Sequence, residues 1–308
     1  IETNLNQKKD NLTINSIKYS EDKNKIDLSN VKIKSGKIFF FEKVKVITFL
    51  SNQRNNDFEI FWGKELNLKG KNFDARGILK KLGKNKNKNF LNFNKKINIK
   101  LDNISSNLDN DLKNFNLIGK IEKGELIEVI SKGDFSTNQF LDISLKQDDN
   151  TKKKYLEIYS DIAEPFLKGN KQFKSIKNGN LLFNTVFDKN NSTSKILIED
   201  FKISNAPIFA KLLSLADFRG MLDVLNGDGL SFDILEIKYS SNEQQIKLNE
   251  FYALGPSLSI LIDGYIDRKT GLISLRGTMV PAKELNKLIS KIPVVGRILV
   301  PKEIGEGI

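Results

Sequence analysis

Cysteine and histidine are both absent from the 308 residues. That excludes a disulfide framework, a thiolate zinc site, imidazole metal ligands, a cysteine nucleophile and any Ser-His-Asp relay. Arginine is scarce, confined to Arg54, Arg76, Arg219, Arg268, Arg276 and Arg297, so donors for bidentate contacts with guanine or phosphate are few. No run approaches the roughly 20 uncharged apolar residues that a spanning helix needs. An enzyme built on this chain would have carboxylates, Lys, Tyr and Ser alone. The balance favours a protein that binds or shapes something over one that reacts with it, with no cofactor and no metal.

What is abundant is lysine and asparagine. Net charge is +12, the usual footprint of a nucleic-acid binder. The cations are mostly Lys, however, spread along the chain and interleaved with Asn, as in Lys84-Asn85-Lys86-Asn87-Lys88-Asn89. That is a drift in surface composition, without the arginine signature, so nucleic acid is disfavoured. An anionic lipid surface uses diffuse positive charge equally well. The chain opens on Ile1 without a basic-then-apolar leader and stops at Gly305-Glu306-Gly307-Ile308. It reads as a fragment, in which a missing targeting signal says nothing about compartment.

Short alternating runs dominate. Ile97, Ile99 and Leu101 put apolar side chains on one face of a strand, with Asn98 and Lys100 on the other. Phe58/Ile60/Trp62 and Leu258/Ile260/Ile262/Ile266 behave the same way. Further strands centre on Ile14, Ile33, Phe40, Val46, Leu68, Leu117, Ile127, Ile143, Ile158, Phe183, Ile198, Ile234, Leu248 and Leu275, giving about 17 in all. Tight turns at 34–37, 122–125 and 267–271, each containing Gly, make the sheet mostly an antiparallel meander.

Helical spacing is rare. It appears at 73–82, at 161–169 around Pro165, most strongly at 206–226 with Pro207 in the first turn and Gly227 as a cap, and in a pair over 282–299 divided by Pro293 and Gly296. A composition change near Ser204 divides a Lys/Asn-rich β segment, 1–204, from a region denser in apolar residues, 205–308.

A strand with one apolar face must cover it, since each exposed Leu, Ile or Phe forfeits about 1.5–3 kcal/mol. The helices are too few for so large a sheet. A second sheet, closure into a barrel, or a curled sheet holding an apolar ligand each solve the problem. Other candidate chemistry is thin. Asp109/Asp111 and Asp148/Asp149 lack the spaced ligands of a calcium loop and read as solvated turns. Gly227-Asp228-Gly229 and Gly305-Glu306-Gly307 lack the strand–loop–helix order of a phosphate loop. Phe90 and Phe93 beside the Lys/Asn run read as loop anchors rather than as a stacking platform for single strands. The apolar side of 208–225 and the more cationic 285–299 are helices for packing on a sheet end or docking at a membrane, with Phe209, Leu212, Leu213, Leu288, Val294, Val295 and Ile298 as docking candidates.

The stretch from Asn205 through Pro207, Arg219-Gly220 and Gly227-Asp228-Gly229 to Asp233 resembles the C-terminal region of AsmA-like proteins of the YhdP type. So do Ala253-Leu254-Gly255-Pro256-Ser257-Leu258, Gly277-Thr278-Met279-Val280-Pro281-Ala282 with Leu285-Asn286, and Lys291-Ile292-Pro293-Val294-Val295-Gly296-Arg297. This ordered series spans about the last hundred residues. The resemblance implies a periplasmic protein of a Gram-negative envelope, anchored in the inner membrane by an N-terminal helix outside this sequence. It further implies a long curled antiparallel β-groove, with short amphipathic helices mostly near the C-terminus. Such a groove is associated with carrying phospholipid from the inner toward the outer membrane. No catalytic motif belongs to it. The lipid-facing candidates are Phe58, Ile60, Trp62, Ile97, Ile99, Leu101, Leu258, Ile260 and Ile262. The partners implied are phospholipids and the two membrane surfaces. The alternative is a TamB-like scaffold of the envelope, with the same sheets packed shut and no lipid.

Overall fold

The computed structural model describes residues 5–8, 11–34, 37–76, 93–106, 108, 110–136, 139–167, 176–204, 210, 213 and 229–281. The protein is mainly β. Eighteen strands are described: β1 (Leu5–Lys8), β2 (Asn11–Glu21), β3 (Asn24–Lys34), β4 (Lys37–Phe40), β5 (Lys43–Leu50), β6 (Gln53–Trp62), β7 (Glu65–Asp74), β8 (Lys95–Ser105), β9 (Leu112–Glu122), β10 (Glu125–Ser136), β11 (Gln139–Gln147), β12 (Lys154–Ser160), β13 (Ile176–Asp188), β14 (Asn191–Ile203), β15 (Leu230–Ser241), β16 (Gln245–Leu254), β17 (Leu258–Asp267) and β18 (Ile273–Pro281). A single turn of helix, α1 (Glu164–Leu167), lies between β12 and β13.

Contacts divide the chain into two compact units, Ile1–Lys171 with Asn180–Lys189, and Gln172–Gly179 with Asn190–Ile308. Ser204, where the composition changes, lies inside the second unit just past β14.

In the first unit successive strands pair antiparallel, except that β4 and β5 both pair with β3 and that β7 and β8 run parallel. Parallel neighbours need a long crossover, and the chain between Asp74 and Lys95 supplies it. The hairpin at Lys123-Gly124 has positive φ at both residues, 50° and 76°, the twist that suits a two-residue turn between right-twisted strands. The same region of φ is adopted at Ser51-Asn52, between β5 and β6.

Register fixes what each face carries, because paired residues share a face. One row runs Ile17–Leu28–Val44–Ile60–Leu68–Ile99–Leu117–Ser131–Ile143–Ile158–Phe183 from β2 to β13, apolar everywhere except Ser131. The adjacent row on the reverse face runs Lys18–Asp27–Lys45–Glu59–Lys69–Lys100–Asn116–Lys132–Asp142–Tyr159. Opposite charges meet along it, with Lys43 and Lys45 at 2.9 and 3.6 Å from Glu59. Period-two alternation, held in register over so many strands, separates a greasy face from a charged one.

The second unit continues the antiparallel pattern through β14 to β18. Its apolar row is Ile198–Leu235–Ala253–Ile260–Met279. Phe201 and Phe232 stack at 5.3 Å, both almost fully buried.

The expected helix over 73–82 begins later than its spacing predicts. Phe73 and Asp74 complete β7, held there by pairing with Ile104 and Ser105 and by the Phe73 ring against Phe58 at 5.0 Å. Arg76 is helical, and 77–82 lie outside the described residues. The helix expected over 161–169 begins at Glu164, with Asp161 to Ala163 a bend leading into it, and 168–169 lie outside the described residues. Ala210 and Leu213 are helical and Leu213 is fully buried. The remainder of 206–226 and all of 282–299 lie outside the described residues, with Phe209, Leu212, Leu288, Val294, Val295 and Ile298 among them.

Candidate functional site: a half-covered apolar face

The two lipid-facing triplets of the first unit come together. Phe58, Ile60 and Trp62 on β6 are separated from Leu101, Ile99 and Ile97 on β8 by one strand, through Gly70, Leu68 and Leu66. All six therefore stand on the apolar face. Gly70 is required there, since a Cβ would lie 2.5 Å from the Asp57 carbonyl and from Phe58 Cβ. Trp62 is flanked by Phe41 and Phe93, at 5.6 and 5.2 Å between ring centres, so Phe93 is part of this packing.

The face is not uniform. Toward one border Leu101, Ile104, Leu112, Phe135 and Leu141 form a buried cluster, with Phe73, Ala75, Leu108, Ile162 and Phe166 packed on it. Phe166 of α1 meets Phe135 edge to face at 5.9 Å. This half is covered by the protein's own connections. Leu101 is 3 % exposed, whereas Ile99, two residues earlier on the same face, is only half-buried.

Toward the opposite border the same face opens into a hollow of about 530 Å³, a volume typical of small-molecule sites. Leu117, Leu126, Val129, Ser131, Ile143, Leu145, Leu156 and Phe187 line it, from five successive strands. Its two charged lining residues are Lys154 and Glu125, paired at 2.7 Å. Sequence reasoning singled out neither of them. One signal was present: Lys154 occupies the position that Leu156 and Ile158 make apolar, so a cation stands in phase with the greasy row.

In the second unit Leu258 and Ile260 are 1 % and 3 % exposed, and Ile262 is partly buried. The β17 end that carries them is packed. The far end of the unit is open, with Leu272, Ile273 and Leu275 each more than half exposed. On the reverse of the apolar row Glu236 is 5 % exposed and held by Lys195 and Lys238, each at 3.0 Å. Burial pushes its carboxyl up, and the two ammonium groups together outweigh this and hold it below the ordinary glutamate range. Tyr252, its register partner, is raised by burial first and by Glu236 second, so it stays a neutral phenol.

Among the described residues no group of three or more acidic side chains could hold a metal, and no helix is long and apolar enough to cross a membrane. The described part of this face is an apolar surface with one ion pair, Lys154–Glu125, at the hollow. Comparisons with known proteins add nothing to this: no family model, no curated protein and no solved structure matches the chain.

Proposed function

We propose that this protein is a non-enzymatic carrier of phospholipid in a Gram-negative envelope, with acyl chains lying in an apolar trough while headgroups stay in water. The observation that carries the reading is the eleven-residue apolar row across β2 to β13, backed by a charged row on the reverse face. A face of this kind, only half-buried along much of its length, is costly in water and is satisfied by a hydrocarbon lining. The resemblance of 205–297 to the AsmA-like C-terminal region supports a periplasmic setting between inner and outer membranes, with the C-terminal helices docking one end.

A closed envelope scaffold is the second reading, favoured by the near-complete burial of Leu258 and Ile260. Native mass spectrometry of the chain prepared without detergent from a lipid-containing host separates the two. Co-purifying phospholipid is expected for the carrier, and protein that is consistently empty, even after incubation with vesicles, leaves the scaffold standing alone.

A further inference from the structure

The hollow on β9 to β13 has an uneven mouth. Lys154 and Glu125 are in direct contact there, but their side chains differ in exposure, 22 % for the lysine against 71 % for the glutamate. Lys154 lines the hollow together with Leu156 and with Phe187, its register partner, and is mostly buried, which suits a long stem on apolar surface carrying a charged tip. The carboxylate is the partner that water can take over. An anion arriving at this mouth therefore finds a fixed cation and a replaceable competitor. The same hollow is lined by Val129, Leu145 and Leu156, which an inorganic anion cannot use.

Resting on the carrier reading above, we infer that this hollow is a headgroup-reading site: it seats an acyl tail of a glycerophospholipid whose phosphate replaces Glu125 on Lys154. Charge complementarity selects the occupant, since the apolar lining takes the tail and the border cation takes the phosphate. Neutral diacyl lipid fits the same lining and gains nothing at the mouth. The Lys154–Glu125 pair then acts as a filter that admits tails by the charge attached to them.

The test titrates the full chain with phosphatidylglycerol and with diacylglycerol of the same acyl chains, read by native mass spectrometry. A lysine near an anionic lipid contributes about fivefold in affinity, and reversing its charge about thirtyfold. Lys154→Glu is expected to weaken phosphatidylglycerol about thirtyfold and leave diacylglycerol unchanged. Glu125→Gln, which removes the competitor, is expected to tighten phosphatidylglycerol about fivefold. Lys45→Gln on the charged reverse face is expected to change neither, and all three variants should keep the wild-type circular dichroism. Inorganic phosphate alone is expected not to bind measurably. Equal binding of the two lipids, or equal weakening by Lys154→Glu and Lys45→Gln, overturns the headgroup site and leaves the carrier standing. Phosphate bound as tightly as phosphatidylglycerol also overturns it. Binding of neither lipid overturns both readings.

Discussion

Leu141 and Leu145 stand on the same face of β11, four residues apart, and the division of that face into covered and open halves predicts opposite behaviour for them. Leu141 is 3 % exposed inside the cluster closed by α1; Leu145 is partly exposed and lines the hollow. Truncating a fully buried Leu to Ala removes its transfer free energy and leaves a cavity, about 3 kcal/mol for a site that cannot collapse. Leu145 is already partly in water and borders open space, so its truncation forfeits about 1 kcal/mol. For a unit of this size each kcal/mol moves Tm by about 2–4 °C. Leu141→Ala should therefore lower Tm by about 6–12 °C, and Leu145→Ala by about 2–4 °C. The single tryptophan, Trp62, lies on the same face of the same unit, so its fluorescence during thermal or urea unfolding reads the relevant transition. Equal losses at the two sites, measured without lipid, would refute the division and leave the face packed throughout.

Two further outcomes follow from the same geometry. Gly70→Ala should destabilise by about 1–3 kcal/mol, because the added methyl meets the backbone of β6 and cannot be relieved by a rotamer change; a urea midpoint within error of wild type would contradict that contact. Glu236→Gln should cost about 1 kcal/mol near neutral pH by removing the charge that Lys195 and Lys238 share. A carboxyl held below its unfolded value stabilises above that value and ceases to as pH falls through the folded one. The gap between wild type and variant, measured by urea unfolding, should therefore narrow below the ordinary glutamate range of about 4 and close in strong acid; a gap independent of pH would remove the linkage.

Most of the strand inventory was legible because alternation is a local signal. Each expected strand centre falls in a different strand, and β1 alone had none, its Leu5-Asn6-Gln7-Lys8 offering one apolar residue and no alternation. The common face of Phe58/Ile60/Trp62 and Ile97/Ile99/Leu101 was implied by the same period, although the parallel step joining them was not, since periodicity carries no direction. What the sequence hid is the contrast between Ile99 and Leu101. Both are apolar and in phase, and they differ because Phe166, Leu108 and Ala75 arrive from three separate connections over one border. The expected start of the helix over 73–82 misled for a related reason: Phe73 fits a helical spacing and a strand end equally well, and pairing with Ile104 decides it. Glu125 and Lys154 are 29 positions apart, a distance that no local pattern spans.

In an unbroken meander, connections alternate strictly between the two borders of a sheet, so the border of each is known by counting strands. The parallel step from β7 to β8 shifts that count by one. The Ser51-Asn52 turn stands on the border of Leu101, but the Lys123-Gly124 turn stands on the other, beyond Lys95 and Ile121. Carried onward, the shifted parity delivers the β12–β13 connection, with α1, to the same border as the Ser51-Asn52 turn. Had the step been an ordinary hairpin, β8 to β13 would be reversed against β6 and β7, and Leu101, Leu141 and α1 would lie toward Trp62 and Leu66 instead of toward Phe58 and Phe73. One parallel step thus chooses which end of β6 and β7 shares the sealed border, far from where the seal is made.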